Sequence, residues 1–419
     1  MSSGTNPPGR TIRLVSITTT AVSGIHLQRG QLSYLRNHGI ETIAISSPGP
    51  ELQQLRDREG VVVIPVSIAR EIQPVQDMLS LLRLWYVLRR LRPDIVNAGT
   101  PKAGLIGMLA AWLAGVPVRV YTQRGLRLET CRGLKARLLT WTERLACYCA
   151  HRVIFVSHSL RSACLQRKLL SADKAVVIGS GSSNGVDAER FQKCLSSAEL
   201  DAFRAELGIP NDALVIGFVG RLTKDKGIEE LCQAFKRIRR THPSARLLIV
   251  GDYEAGDPVN AETVQQFKSD PNVVITGFVG NTSKYYRLMS VLAFPSHREG
   301  FPNVPLEAAC AGIPTVGFLA TGTVDAIQHQ QTGIVVPLGD VPAFADAVDE
   351  YLRNPLLRRQ HGDAAQQRAE RDFAPQRIWD GLLELYQRQL ESAEVPRSRT
   401  RRTRLSKVEV HLADRKKVA

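Results

Sequence analysis

The chain reads as α/β, with two Rossmann-like, doubly wound domains facing each other across a cleft. Three observations predict this. Short apolar runs alternate with helix-length periodic segments along most of the 419 residues, the pattern of parallel strands joined by crossover helices. Between 184 and 212 that alternation breaks into a loop, a polar helix and Gly208-Ile209-Pro210, then restarts, as at a domain linker. The length also suffices for two full cores.

In the first half, strands are expected at 12–17, 41–45, 61–66, 95–96, 116–121, 153–156 and 175–178. Helices are expected at 24–35, 75–91, 103–114 and 134–150, the second on the spacing of Leu79, Leu82, Trp85, Tyr86 and Leu88. In the second half, strands fall at 214–219, 245–250, 273–276, 291–294, 315–316 and 333–336, with helices at 227–240, 306–311, 342–352 and 379–390. The expected organisation is a disordered start over 1–11, a domain over 12–186, a linker over 187–212, a second domain over 213–375, a helix over 376–392 and a tail over 393–419. Residues 396–419 hold nine Lys/Arg against Glu409 and Asp414, net +7, with almost no apolar periodicity, and read as disordered.

A net charge of +15 implies an acidic partner: nucleic acid, an anionic membrane face or a phosphate-rich substrate. No aromatic-interleaved basic motif supports nucleic acid. The seven cysteines are scattered without C-x-x-C or zinc-like spacing, so reduced, packed thiols in a cytosolic compartment are expected. The start lacks an apolar signal core, and the uncharged run 103–118 falls short of a membrane span.

The stretch from Pro295 to Pro314 carries the clearest chemistry. A strand runs into a loop with Glu299, Gly300, Pro302 and Asn303, then a helix bearing Glu307. In a parallel sheet that order puts the loop at the carboxyl edge, where ligands bind. The helix start favours an anion, and a carboxylate there can accept bonds from adjacent sugar hydroxyls, so a sugar-nucleotide pocket is expected. A second loop, Gly217 to Gly227, places Arg221 and Lys226 after a strand-end glycine pair. Two fixed cations there would stabilise charge developing on a departing diphosphate; a solvated basic loop is the plainer alternative. No Walker A spacing is present.

Together these motifs resemble the retaining glycosyltransferases of family 4, of the GT-B fold, over roughly 13–390. The matching pieces are Gly-Arg-Leu…Lys-Gly at 220–227, Gly251-Asp252, Thr276-Gly277-Phe278, the Glu-x7-Glu phrase at 299–307, and Thr332-Gly333…Gly339-Asp340. The resemblance implies that Arg221 and Lys226 hold the donor diphosphate and Glu299 the donor sugar. It further implies that Glu307 holds the ribose hydroxyls and that the backbone around Phe278 meets the base. Gly220 belongs to the donor loop, and the stretch Gly300, Phe301, Pro302, Asn303 and Val304 would help hold sugar and phosphate, through the N–H groups of its non-proline residues. It implies no metal and no cofactor. The 213–375 domain would bind a nucleotide sugar, expected to be UDP-linked, and 12–186 the acceptor.

The segments at 69–74, 99–104, 124–127 and 181–187 are similar to a bacterial subgroup acting on polyprenyl-diphosphate-linked saccharides, for capsule, O-antigen or glycan assembly. Thr100, Lys102, Arg124 and Arg127 are the candidate partners of acceptor phosphate. Where many relatives carry histidine, this chain has Asn97-Ala98-Gly99 and Gln123-Arg124. Thr18-Thr19-Thr20 replaces the usual Gly-Gly pair, and His26 is a nearby candidate. Residues 124–137 hold five cations against Glu129, followed by Trp141, so an anionic membrane surface is an expected partner and the inner face of the cell membrane the expected location. A nucleotide-sugar epimerase on the same fold is the alternative enzyme.

Overall fold

A computed structural model describes residues 11–69, 73–192 and 195–393. The expected disordered start (to residue 10), residues 70–72 of the 69–74 segment, Cys194 and the basic tail from 394 lie outside the described residues.

The first sheet is built from β1 (Ile12–Ile17), β2 (Ile40–Ser46), β3 (Val62–Pro65), β4 (Ile95–Ala98), β5 (Val118–Gln123), β6 (Arg152–Phe155) and β7 (Ala175–Val177). Its helices are α1 (Ala21–Leu27), α2 (Gln31–Asn37), α3 (Glu51–Glu59), α4 (Pro74–Leu91), α5 (Pro101–Leu113), α6 (Gly133–Cys149) and α7 (His158–Gln166). Two helices, α8 (Ala188–Gln192) and α9 (Ser197–Glu206), bridge to the second half. There the strands are β8 (Val215–Val219), β9 (Arg246–Val250), β10 (Val273–Ile275), β11 (Val291–Phe294), β12 (Thr315–Phe318) and β13 (Gly333–Val336). The helices are α10 (Ile228–Ile238), α11 (Ala261–Ser269), α12 (Ser283–Tyr286), α13 (Asn303–Cys310), α14 (Thr323–Ala326), α15 (Val341–Arg353), α16 (Pro355–Asp372) and α17 (Pro375–Ser392).

Both sheets are wholly parallel, in the orders β3-β2-β1-β4-β5-β6-β7 and β10-β9-β8-β11-β12-β13. The winding direction reverses between β1 and β4 in the first and between β8 and β11 in the second. Those reversals open crevices at the carboxyl edges, where ligands of such sheets bind. This is the expected GT-B architecture.

Two expectations need correction. The helix expected at 24–35 is two helices, because Gly30 takes φ 75°, a left-handed turn where a Cβ would sit 2.8 Å from the Trp379 ring. Helices α3, α7, α11 and α16 also lie outside the expected set, the longest being α16 at 18 residues. Its packed face is His361, Gly362, Ala365, Arg368 and Ala369, small or polar residues that leave no apolar period to read.

The last helix returns to the first sheet. Leu382, Tyr386 and Leu390 of α17 join a core with Leu14, Ile95 and Val118, and the Tyr386 hydroxyl accepts a 2.7 Å bond from Asn97. Tyr386 is 1% exposed, so Tyr386→Ala should cost about 3–5 kcal/mol of stability. A lowered midpoint in chemical denaturation is the expected result.

Candidate active site

The second sheet's crevice is set by a close backbone approach. Gly227 ends the β8 loop at φ 73°, and a Cβ there would lie 2.0 Å from the carbonyl oxygen of Pro295, the first residue after β11. With the two loops in contact, Lys226 Nζ sits 2.5 Å from Glu299 Oε1, and Ser296 Oγ donates to that same oxygen at 2.8 Å. Both side chains are largely shielded, 18% and 14% exposed. Arg221, 57% exposed, turns instead to the rim and pairs with Glu254. The two cations of this loop are therefore split, one in the crevice and one at its edge. Gly220 is held under the next loop, since a Cβ on Gly251 would meet its carbonyl oxygen at 1.8 Å.

Further ion pairs brace the floor. Arg298 reaches Asp225 at 3.3 Å, and His297 Nε2 meets Glu230 at 2.7 Å. The Glu230 hydrogen bond raises the His297 pKa, against the opposing effect of burial.

Glu307 stands on α13. Its Oε2 accepts bonds from Tyr286 at 2.8 Å and Thr282 at 3.4 Å. Burial raises its pKa, while these hydroxyls and the Arg190 charge favour the carboxylate. Arg190 itself donates to Asn281 Oδ1 at 3.0 Å. Sequence reasoning missed Arg190, Asn281, Thr282 and Tyr286, because Arg190 lies on α8 and the other three on or just before α12, and no spacing links either segment to Glu307. Phe278 projects outward, 80% exposed, beyond Gly277 at φ 70°. The Phe301 ring is core, packed 5.3 Å from Phe373, so only its backbone can serve a ligand. Pro302 is buried as well, and Val304 packs against the core, while Asn303 starts α13.

On the facing sheet, Thr100 follows β4 and bonds Thr19, which follows β1, at 2.6 Å. Lys102 pairs with Asp77 of α4 at 2.7 Å. Arg124 lies under the cleft wall: its Nε donates to the Gly99 carbonyl at 3.0 Å, its Nη1 has no hydrogen-bond partner, and burial lowers its pKa to about 10. Arg127 is exposed on a short helical turn. The structure thus brings Thr100 and Arg124 to the carboxyl edge, turns Lys102 toward α4 and leaves Arg127 at the surface. His26 lies on the outer side of α1; partial burial of its ring and the charges of Arg58 and Arg190 lower its pKa.

The two halves touch here. A Cβ on Gly300 would be 2.0 Å from the Arg124 carbonyl oxygen. Ser157 Oγ donates to the Gly300 carbonyl at 2.7 Å, and Gly322 N–H to Ser159 Oγ at 2.8 Å. The Asp325 carboxylate accepts the His158 and Ser159 N–H groups at the start of α7, at 2.9 and 3.2 Å. Among the described residues no group of three or more His, Cys, Asp or Glu is placed to hold a metal ion.

This geometry has counterparts among known proteins. Residues 200–368 match the family model "Glycosyl transferases group 1", and residues 27–181 match "Glycosyl transferase 4-like domain". The chain is 38% identical to the capsular polysaccharide biosynthesis glycosyltransferase CapM of Staphylococcus aureus, over 90% of this chain and 97% of that protein. It is 27% identical to the UDP-Gal:alpha-D-GlcNAc-diphosphoundecaprenol alpha-1,3-galactosyltransferase of Escherichia coli, over 81% of this chain and 86% of that one. Among solved structures, Anabaena Alr3699/HepE in complex with UDP superposes with a TM-score of 0.74 at 20% identity, over 90% of this chain and all of that one.

Below Arg124 lies a buried acid. Glu143 Oε2 accepts bonds from Tyr121 at 3.1 Å and Gln123 at 3.2 Å, and burial pushes its pKa up to about 7. Between its unfolded pKa near 4.3 and about 7 the native state holds a proton that the unfolded chain has lost. Stability should therefore fall as pH rises through that window, by up to about 3 kcal/mol. Glu143→Gln should remove this slope, gaining stability relative to the parent chain at pH 8 but not at pH 4.5, as read by chemical denaturation at both values.

Proposed function

We propose that this chain, which belongs to the group 1 glycosyl transferases, moves a sugar with retention of configuration from a nucleotide sugar to a polyprenyl-diphosphate-linked saccharide. The product would enter a bacterial surface polysaccharide such as capsule. The observation that carries this reading is the Lys226–Glu299 pair at the β8/β11 crevice, with Glu307 on the helix that follows. An ammonium has three donors. One directed at Glu299 leaves two for phosphate oxygens. Glu299 then stands between the phosphate-binding cation and the sugar, and Glu307 farther along the crevice receives the ribose hydroxyls.

In this reading UDP is the leaving group. The acceptor hydroxyl attacks the anomeric carbon from the face the diphosphate leaves. The bond from that carbon to the phosphate oxygen breaks, and the departing oxygen takes the hydroxyl proton. Lys226, joined by Arg221 once it leaves Glu254, stabilises the charge that develops there. Backbone N–H groups from Gly300 to Val304 complete the phosphate and sugar contacts, and Phe278 flanks the base. Thr100, Lys102, Arg124 and Arg127 provide the acceptor side, with Arg124 the group already desolvated in the cleft wall. A lipid-linked acceptor places the enzyme on the cytoplasmic face of the membrane as a peripheral protein; among the described residues no helix is long and apolar enough to cross one. The similarity of the whole chain to a capsule enzyme and to a diphosphoundecaprenol-directed galactosyltransferase supports the choice of acceptor.

A panel of UDP- and GDP-sugars with a polyprenyl-diphosphate saccharide should give acceptor-dependent transfer unaffected by chelator. Conversion of the free nucleotide sugar without acceptor would instead identify an epimerase. Lys226→Ala should lower kcat by about 10²–10³-fold, the usual effect of losing one transition-state donor. Glu307→Ala should act mainly by raising the donor KM, because the ribose contact is the same in ground and transition states. Full activity in either variant would refute the assignment.

A further inference from the structure

Three helices of the first domain form one layer, with α5 packed between α4 and α6. Its outer surface is unlike the rest of the protein. Thirteen of the nineteen exposed large apolar side chains among the described residues lie on these three helices. On α4 the residues Val75, Met78, Leu79, Leu82, Trp85 and Tyr86 recur at helical spacing, opposite the buried stripe of Ser80, Leu84, Val87 and Leu91. On α6 a second stripe, Leu134, Leu138, Trp141, Leu145 and Tyr148, faces out along its length. Trp112 and Leu113 close the gap at the end of α5. Both outer helices are therefore apolar on two sides, and only one side is satisfied by the core. An apolar surface of this extent marks an interaction site.

The charges around it are of one sign. Arg83, Arg89, Arg90, Lys135 and Arg137 are exposed on α4 and α6. The two acids of these helices do not oppose them: Asp77 is paired with Lys102, and Glu143 is buried. Cations also lie over the aromatic rings, Arg89 on Trp85 at 5.8 Å, Arg90 on Tyr86 at 5.2 Å and Arg144 on Trp141 at 5.9 Å. Aromatic rings with cationic neighbours, flanking an aliphatic stripe, suit the boundary between lipid headgroups and acyl chains. A second copy of the chain is a poor occupant, because a two-fold contact would set these like charges against each other. Beside α6 a groove of ≈ 600 Å³, lined by Trp141, Leu145, Tyr148, Leu169 and Lys168, extends the same surface inward.

We propose that the outer face of α4, α5 and α6 is a docking surface for an anionic lipid bilayer. The two apolar stripes enter the interface, and the arginines and lysines meet lipid phosphates. The proposal gives the membrane partner of the lipid-linked-acceptor reading a defined face and rests on that reading for its orientation. It is tested with neither donor nor acceptor present.

Three of the four tryptophans, Trp85, Trp112 and Trp141, lie on this face, and the fourth, Trp379, packs against Tyr34. The full chain should co-sediment with vesicles of phosphatidylcholine and phosphatidylglycerol but weakly with phosphatidylcholine alone. Its tryptophan emission should shift to the blue and be quenched by brominated acyl chains. Inorganic phosphate should not displace it. The full-length double variant Leu82→Glu/Leu138→Glu changes two half-exposed positions outside the cleft. It should keep the parent circular dichroism and melting temperature and lose at least about tenfold in vesicle affinity, the equivalent of about 1.4 kcal/mol. Unchanged binding by that variant would overturn the proposal and assign adhesion to another part of the chain. A parent dimer that the variant dissociates would overturn it in favour of a second copy, and failure of the parent chain to bind mixed vesicles would refute it outright. A chain that transfers sugar yet ignores vesicles leaves the enzymatic reading intact, and one that binds vesicles without transferring does the reverse.

Discussion

The contact between Gly227 and Pro295 is the constraint on which the cleft depends. It joins the loops that follow β8 and β11, the two strands between which the winding of the second sheet reverses. A side chain at Gly227 would separate them on two counts, steric overlap and a left-handed φ. With the loops together, Lys226 and Glu299 meet in a shielded place. There desolvation offsets much of their attraction, but removing either partner would leave the other a shielded, unpaired charge. In the proposed reading a diphosphate beside Lys226 would add negative charge without stripping Glu299, because an ammonium has three donors. The pair that joins the two loops could then stay in place while a ligand is held.

Closure between the domains rests on glycines again, but with a different energetic character. Gly300 and Gly125 let the two backbones approach, and a Cβ at Gly322 would meet the Gly300 carbonyl at 2.5 Å. The joints across the cleft include hydrogen bonds from Ser157, from Gly322, from Thr321 to Glu129 and from the two N–H groups capped by Asp325. The neutral ones are worth about 1 kcal/mol net each and those to a carboxylate about 1.5–3 kcal/mol, and they add to an apolar core that runs from Val156 and Val186 to Phe301 and Phe373. That balance suits an enzyme that must admit two substrates and release two products, since lid and domain motions on the microsecond to millisecond scale need shallow minima. Helix α17 adds a second connection to that of α8 and α9: its Tyr386 and Leu382 sit in the first domain's core.

Much of this was legible in the sequence because parallel strands write near-continuous apolar runs and the carboxyl-edge loops write glycines and charges. The order of strands, the Glu299 to Glu307 phrase and the Arg221 to Lys226 loop could all be read that way. What could not be read has physical reasons. Helix α16 packs through Gly362, whose Cβ would clash with the Gly312 carbonyl, and through Arg368, which bonds the carbonyls of Asp325 and Ala326; neither leaves an apolar signature. The surroundings of Glu307 come from Thr282, Tyr286 and Arg190, which only tertiary packing assembles. Arg221 and Lys226 look equivalent in the sequence, yet one is at the rim and one in the crevice. Phe301 is expected to serve through its backbone, and its ring is buried in the core against Phe373.

The apolar stripes of α4 and α6 show the same limit in another form. Periodicity marks a residue as apolar at helical spacing, but not which neighbour covers it. Of the five apolar residues whose spacing marks this helix, Leu88 faces the core beside Leu84, Val87 and Leu91, while Leu79, Leu82, Trp85 and Tyr86 face outward. Topology then gives the outer stripes a consequence. Each of α4, α5 and α6 follows the carboxyl end of a strand, so all three begin at the cleft edge of the first sheet. Thr100 caps the start of α5, and Arg127 and Arg132 precede α6. A layer lying on a lipid surface by its outer face would hold those helix starts, and the Arg124 wall behind them, beside the bilayer. An acceptor whose diphosphate is anchored at the headgroups would then have only a short path to a crevice that already carries cations on its near side.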